Sequence, residues 1–213
     1  MANTFDSEVE TPDLETLAGL AENLVYRLPG CSDLMVRKAI QVAYRDFCRR
    51  SCCLRVRRQF RQEPDRCEYP VCSVYGGMVD QIVEVSIGRR VLRDGHDYCV
   101  CGPVVVLNRK LNVRNDVPEE SRPVITITHV EIPDIGQESA PKWFIMKYGD
   151  AICSGAISRL MSMTGRPWSD LSQAQQEMIA YENFVNEARV RYYAGSDSGD
   201  GNTGPAFDTS DLV

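Results

Sequence analysis

The feature that most constrains this chain is a change in the spacing of its apolar residues, which occurs twice. Apolar residues repeat every three or four positions over residues 12–52 and again over 142–194, as in helices. Between them, residues 53–135 carry short apolar or β-branched runs separated by turn residues, as in strands. We therefore predict an α+β fold: a split bundle of about four helices, an inserted antiparallel β domain, and a linker at residues 136–141.

Two helices are predicted in the first helical segment. Thr11 followed by Pro12 is a typical helix start, and Pro29-Gly30 ends this first helix. Ser32 can cap a second helix, which should end near Ser51. At about 100° per residue, four basic side chains of the second helix fall together, away from its apolar stripe. They are Arg37, Lys38, Arg45 and Arg49.

The second helical segment predicts two longer helices. One should span residues 142–163, where Gly149 and Gly155 indicate that another backbone packs closely. The other should begin after Ser169-Asp170 and end at Ala194-Gly195. Its apolar residues step alternately by three and four, which favours packing along another helix over a cofactor-lining stripe. These seam residues are Leu171, Ala174, Met178, Tyr181, Val185, Ala188 and Tyr192.

Within the β domain, candidate strands lie at residues 54–61, 67–73, 79–87, 97–101, 104–107 and 123–130. Asp94-Gly95 predicts a hairpin turn between Val91-Leu92 and Tyr98. His96 stands between Asp94 and Asp97 in this turn, a cluster that could bind a metal or hold a general base. We favour a polar turn, because Asp and Gly are common turn residues.

The net charge of −6 conceals two acidic ends and a basic middle. Residues 1–15 carry five acidic and no basic side chains, and residues 195–213 carry four acidic and none that are basic, which leaves +3 between them. Residues 37–66 hold ten basic and three acidic side chains. This pattern predicts an acidic arm at residues 1–11, an acidic extended tail at 195–213, and attraction between subunits or toward a partner. Solvated charge on loose ends is the alternative.

Several functional classes find no support in the sequence. The nine cysteines have no C-x-x-C spacing and the two histidines stand apart, so we expect free structural thiols and no metal site. No phosphate loop, dinucleotide fingerprint or nucleophile elbow occurs, so we expect neither catalysis nor a cofactor. The first residues lack the pattern of a signal peptide, and no apolar run approaches the roughly 20 residues of a membrane-spanning helix.

Several short segments, in their order and spacing, resemble those of a known family. They are Leu28-Pro29-Gly30-Cys31, then Tyr44-Arg45-Asp46-Phe47-Cys48-Arg49-Arg50-Ser51, Val130-Glu131-Ile132-Pro133-Asp134, Gly155-Ala156-Ile157-Ser158-Arg159-Leu160-Met161, and Arg166-Pro167-Trp168 before a helix that carries Phe184. Together they resemble the head-to-tail connector, or adaptor, proteins of tailed bacteriophages, over residues 17–193. Cys52-Cys53 departs from that pattern, where an apolar or aromatic residue would be expected.

The resemblance implies a structural role without catalysis, in the neck of a virion assembled in the host cytoplasm. Such proteins form a ring, commonly of twelve copies, beneath the portal protein. The ring extends the channel for the packaged DNA, without sequence specificity, and binds a distal neck or tail protein. The basic face of the second helix would then contact a neighbouring subunit, the portal or the channel DNA. The tail would grip the portal or a neighbour through Phe207, Leu212 and Val213.

A second hypothesis uses the same basic helix differently. Lys and Arg on one side of a helix supply phosphate affinity that is independent of sequence. A small nucleic-acid-binding or regulatory protein would therefore also fit. The mass of the assembly separates the two hypotheses, because a connector forms a large ring, alone or on its portal.

Overall fold

The computed structural model of the protein describes residues 13–111, 113 and 116–197, and its fold is α+β as predicted. The helices in the described residues are α1 (Ala18–Val25), α2 (Asp33–Ser51), α3 (Lys142–Met161) and α4 (Leu171–Asp197). The strands are β1 (Leu14–Thr16), β2 (Arg55–Arg61), β3 (Glu68–Pro70), β4 (Gly77–Ile87), β5 (Arg90–Val91), β6 (Tyr98–Cys101), β7 (Val104–Leu107), β8 (Val124–Pro133) and β9 (Ser139–Pro141).

The described residues divide into two compact units. The helical unit contains residues 13–53, 75–77 and 133–197, and the β unit contains residues 54–74 and 78–132. The predicted β insertion at 53–135 therefore begins one residue early and ends three residues late, and the short segment at 75–77 belongs to the helical unit. The predicted linker at 136–141 is likewise part of the helical unit.

A strand replaces the start of the first predicted helix. Residues Leu14–Thr16 form β1, which pairs antiparallel with β9, and α1 begins only at Ala18. The pairing is continued by the Leu17 N–H, which donates to the Glu138 carbonyl at 2.8 Å. A partner strand distant in sequence thus satisfies the backbone, so the local helix signal of Thr11-Pro12 does not decide the structure here.

The core of the helical unit lies where α3 packs against α2 and α4. Four aromatic rings meet there, with Phe144 at centroid distances of 5.1 Å from Tyr44, 6.0 Å from Phe47 and 5.1 Å from Tyr148. Such edge-to-face and tilted pairs add to the stabilisation that burial provides. Local signals set the ends of α2: the Ser32 hydroxyl accepts a hydrogen bond from the Met35 N–H at 3.4 Å, as an N-cap does.

Gly155 lets α3 and α4 approach closely. A Cβ atom at Gly155 would lie 2.8 and 2.9 Å from ring carbons of Tyr181 and 3.3 Å from Cβ of Ala43. At Gly149 it would lie 3.3 Å from Cδ2 of Leu20. The close approach predicted at both glycines is therefore made by side chains and not by another backbone.

The last helix continues beyond its predicted end. α4 runs to Asp197, past Ala194-Gly195, because its backbone hydrogen bonds continue through this glycine. The first three residues of the predicted extended tail are thus helical. The acidic arm at residues 1–11 and the tail from residue 198 onward lie outside the described residues.

The β unit consists of a four-stranded sheet in the order β2-β8-β4-β5 and a three-stranded sheet in the order β3-β7-β6. Strand β2 pairs antiparallel with β8 from Arg55 opposite Val130 to Arg61 opposite Val124. The buried core of the unit is aliphatic with two tyrosines, and it consists of Tyr69, Val71, Val85, Leu92, Tyr98, Val105, Leu107, Ile125 and Ile127.

The hairpin predicted at Asp94-Gly95 is displaced. β5 pairs with β4, with Ile87 opposite Arg90, so the hairpin turn falls at Gly88-Arg89. Asp94-Gly95 instead closes a tight loop, in which the Gly95 N–H donates to the Tyr98 carbonyl at 2.9 Å. Both dipeptides carry a glycine with positive φ, so the turn residues alone do not say which turn joins paired strands.

Candidate interaction surfaces

The outer face of α2 carries three of the four predicted basic side chains. Arg37, Lys38 and Arg49 are exposed. Arg37 forms an ion pair with Asp33 one turn earlier, at 2.8 Å. Among the described residues, Lys38 and Arg49 have no ion-pair partner, so their charge is available to another molecule.

Arg45 does not belong to this surface, which corrects the sequence-based prediction. It is half-buried, and its Nη1 donates to the Pro133 carbonyl within the helical unit. Gln41, one turn earlier, donates to the Gly136 carbonyl at 3.3 Å. These contacts hold α2 against the last residue of β8 and the segment that follows it. Arg45 therefore positions the chain, because its guanidinium satisfies a backbone acceptor.

A polar network on the other side of α2 was not predicted. Arg50 donates through both terminal nitrogens to Glu182 of α4, at 2.8 Å for the longer bond, and its Nη1 lies 3.5 Å from Asp46. Tyr181 donates to Asp46 at 2.8 Å, and the Arg50 guanidinium lies 5.8 Å from the Tyr181 ring centroid. The spacing of Asp46 and Arg50, four residues apart, is the one sequence signal for this network.

The network ties α2 to α4 by paired charges. The hydrogen bonds from Arg50 lower the pKa of Glu182 below its ordinary value. Burial, and then the hydrogen bond to Asp46, raise the pKa of Tyr181. Near neutral pH, Glu182 is therefore charged and Tyr181 is neutral. Arg50 pairs with acidic side chains of its own subunit.

The predicted seam of α4 is partly correct. Ala174, Tyr181, Val185 and Ala188 are buried, and Tyr192 is half-buried. Leu171 and Met178 are wrong as seam residues, since they are 62% and 44% exposed. At about 100° per residue, these two lie at one edge of the buried stripe, beyond the reach of α3.

The outer face of α4 combines apolar and amide side chains with one ion pair, between Glu187 and Arg191 at 2.6 Å. It contains the exposed Ile179 and Val190, which are 56% and 67% accessible. Between and before them lie exposed amide side chains, namely Gln175, Gln176, Asn183 and Asn186. Exposed helix faces are normally dominated by charged residues, so a face with this share of apolar and amide side chains suits contact with another protein.

The turn that carries His96 is closed by its own hydrogen bonds. The Asp97 carboxylate accepts from the Arg93 N–H at 3.0 Å, lies 3.0 Å from His96 Nδ1 and 3.3 Å from Arg90. The Arg93 N–H and His96 lower the pKa of Asp97. The carboxylate is thus already occupied inside the turn, as the polar-turn interpretation expects.

A second acidic side chain holds the β unit together from inside. His129 and Glu131 are completely buried, with His129 Nε2 3.0 Å from Glu131 Oε1. Glu131 also accepts from the Ser73 hydroxyl and from the Val74 N–H, each at 2.7 Å. Glu131 therefore anchors the loop after β3 to β8. This pairing was not predicted, because nothing in the sequence separates a buried Glu from an exposed one on a strand.

Among the described residues, neither the thiols nor the pocket beside Arg37 forms a site. None of the nine cysteines, all of which are described, forms a disulfide bond, and burial raises the pKa of Cys153 to about 11, which keeps that thiol protonated. Cys72, Cys99 and Cys101 are exposed, so these three thiols do not fill the core. Among the described residues no group of three His, Cys, Asp or Glu could hold a metal ion. A pocket beside Arg37 has a volume of about 20 Å³, room for one water.

No described helix is both long enough and apolar enough to cross a membrane. The predicted anchors Phe207, Leu212 and Val213 lie outside the described residues. No protein-family model matches the chain, and no curated protein matches its sequence.

Proposed function

We propose that this protein is a structural component of a tailed-bacteriophage neck. Identical subunits form a ring, of twelve copies as the resemblance implies, that joins the portal to the tail and extends the DNA channel. The protein assembles in the host cytoplasm, binds the portal on one side and a distal neck or tail protein on the other, and catalyses no reaction. DNA passes through the ring without sequence-specific contacts.

One observation carries the proposal: segments that resemble the connector family and lie far apart in sequence are close together in the helical unit. A Cβ at Gly30, which has a φ of +84°, would lie 3.8 Å from Cβ of Pro167. A Cβ at Gly155 would lie 3.3 Å from Ala43, the residue before Tyr44. The resemblance implies a helical body that a β domain interrupts in sequence, and these contacts between the two halves of the helical unit agree with that.

The surfaces suit a protein that assembles with copies of itself. Lys38 and Arg49 offer positive charge on α2, and the chain carries acidic segments at both ends that could meet it on a neighbour. The outer face of α4, with the exposed Ile179 and Val190, offers a second contact. Exposed ion pairs contribute only about 0–1 kcal/mol each, so the apolar contact would provide the larger share.

The test combines the purified protein with its portal and measures the mass and symmetry of the product. Sedimentation velocity and negative-stain images should show a ring, alone or on the portal. A monomer or dimer that ignores the portal and binds duplex DNA with steep salt dependence would overturn the proposal and favour the regulatory hypothesis.

A further inference from the structure

Strand β2 lies at one end of its four-stranded sheet. The order β2-β8-β4-β5 places it at the edge, and among the described residues its backbone ladder joins it to β8 alone. It spans Arg55–Arg61, a full-length strand rather than a short remnant. An edge strand presents a row of N–H and C=O groups that can receive another strand.

The two faces of β2 differ sharply in chemistry. Alternate residues of a strand share a face, and directly opposed residues of an antiparallel pair lie on the same face. One face of β2 therefore carries Arg55, Arg57, Gln59 and Arg61, opposite Val130, Thr128, Thr126 and Val124 of β8. Val56, Arg58 and Phe60 lie on the other face, opposite His129, Ile127 and Ile125. Arg57 and Arg61 are exposed, and no residue of β8 on their face is acidic.

The acidic arm has the complementary pattern in sequence. Residues 5–10 read Phe-Asp-Ser-Glu-Val-Glu, so Asp6, Glu8 and Glu10 alternate with Phe5, Ser7 and Val9. A period of two is typical of a strand with one acidic and one largely apolar face. In a strand these carboxylates would repeat every 6.4–6.8 Å or so, the same interval as the arginines of β2.

We propose that residues 5–10 of one copy add to the outer edge of β2 in a second copy as an antiparallel strand. One register satisfies both faces at once: Glu10 opposite Arg55, Glu8 opposite Arg57 and Asp6 opposite Gln59. On the other face it sets Val9 opposite Val56 and Phe5 opposite Phe60. A shift of two residues places Val9 opposite Arg58 and loses both apolar pairs.

A further observation favours this register. Nε of Arg58 is buried and has no hydrogen-bond partner among the described residues. The register sets Ser7 directly opposite Arg58, and a serine hydroxyl can accept a hydrogen bond from such a donor. The arm would thereby satisfy a polar group that the subunit leaves unsatisfied.

The inference deepens the proposed function and depends on it for the choice of a second copy. Each subunit offers its acidic arm as the donor and its β2 edge as the acceptor, so the two surfaces differ. Such a head-to-tail contact closes into a ring when the rotation between neighbours divides a full turn, as the proposed connector ring requires. An apolar strand on this edge would leave the arginines without a counter-charge, whereas an acidic strand supplies one. The edge is therefore specific for acidic strands.

The test uses full-length protein and a labelled peptide of residues 3–12. In one variant the arm is reversed (Asp6→Lys, Glu8→Lys and Glu10→Lys together), so that its own arm is repelled and the edge stays open. The peptide should bind this variant saturably in fluorescence anisotropy, and binding should weaken with salt. With Arg55→Glu and Arg57→Glu added, binding should weaken at least about tenfold, since two cross-strand pairs become repulsive.

Matched variants separate strand pairing from simple attraction. Arg89→Glu with Arg93→Glu changes the charge of the β unit equally at another place and should leave binding intact. If the variant with both Arg55→Glu and Arg57→Glu does not fold, Arg57→Glu alone replaces it in the binding measurement. Peptides with Ser7→Pro or Glu8→Pro each lack one backbone N–H group. The Glu8→Pro peptide is compared with a Glu8→Gln peptide, because both lack the carboxylate of Glu8. One of these two N–H groups points at β2, so one proline must reduce binding strongly.

Several results would overturn the inference. They are absence of binding, equal binding by the edge-reversed variant, or full binding by both proline peptides. Peptide binding to dilute wild-type monomer that is at least tenfold weaker than to the arm-reversed variant would show that each chain fills its own edge. The proposed function fails separately, if the wild-type protein forms no ring with its portal while the peptide still binds.

Discussion

Replacing Gly155 by Ala should destabilise the helical unit, although alanine is the better helix former. In an exposed helix interior this change stabilises by about 1 kcal/mol. Here the new Cβ would lie 2.8 Å from Cε2 and 2.9 Å from Cδ2 of Tyr181. Carbon atoms prefer separations of about 3.5–4.0 Å, so the ring would have to move by most of an ångström.

The Tyr181 ring is poorly placed to move. It is 3% exposed, its hydroxyl donates to Asp46 at 2.8 Å, and its centroid lies 6.1 Å from that of Phe47. Overpacking a core of this kind costs about 1–3 kcal/mol, and the tethered ring places Gly155 toward the upper limit. After the gain in helix propensity, we expect a net loss of about 1–2 kcal/mol in the free energy of unfolding.

Urea unfolding followed by tryptophan fluorescence measures this loss, because Trp143 and Trp168 both lie in the helical unit. Two glycines are matched controls. Gly19 has nothing within 4 Å of its missing Cβ, so Gly19→Ala should stabilise by up to about 1 kcal/mol. Gly149 faces the flexible end of Leu20 at 3.3 Å, so Gly149→Ala should be close to neutral.

A double variant isolates the contribution of the Tyr181 ring to the effect of Gly155→Ala. Once Tyr181→Ala has removed the ring, adding Gly155→Ala should stabilise the protein by up to about 1 kcal/mol, since the propensity gain is then opposed only by the 3.3 Å contact with Cβ of Ala43. If Gly155→Ala raised the unfolding midpoint of the wild-type protein as Gly19→Ala does, the packing argument would be refuted.

Four further outcomes follow from the contacts described. Arg50 lowers the pKa of Glu182, so the stability that this pair supplies is present above the ordinary carboxyl pKa and is lost as the pH falls through the lowered pKa. In Glu182→Gln, the urea unfolding midpoint should therefore fall less steeply between pH 6 and pH 3 than in the wild-type protein. Ser73→Ala removes a hydrogen bond to a buried carboxylate and should cost about 1–3 kcal/mol, seen as faster amide exchange in β8. Lys38→Glu with Arg49→Glu should reduce ring formation in sedimentation, whereas either change alone should have little effect. Deletion of residues 198–213 should leave the melting temperature unchanged and abolish co-sedimentation with the portal; normal attachment would show that the tail is not the anchor.

Local sequence determined the fold class and most of the element types. The apolar period reports which face of an element is buried, and this is a property of neighbouring residues alone. Caps and breaks are similarly local, so Ser32 and Gly30 indicated the start of α2 and the turn before it. The buried members of the α4 seam, such as Tyr181 and Val185, could be identified for the same reason.

Tertiary structure decided what depends on partners distant in sequence. Residues 14–16 form a strand because residues 139–141 are beside them, and Glu131 is buried because Ser73 and Val74 supply hydrogen-bond donors. The basic side chains of α2 have similar sequence surroundings but different contacts. Arg45 donates to the Pro133 carbonyl and Arg50 pairs with Glu182. Lys38 and Arg49 are exposed to solvent. Burial of a charged group depends on whether the fold supplies its counter-group, and periodicity carries no information about that.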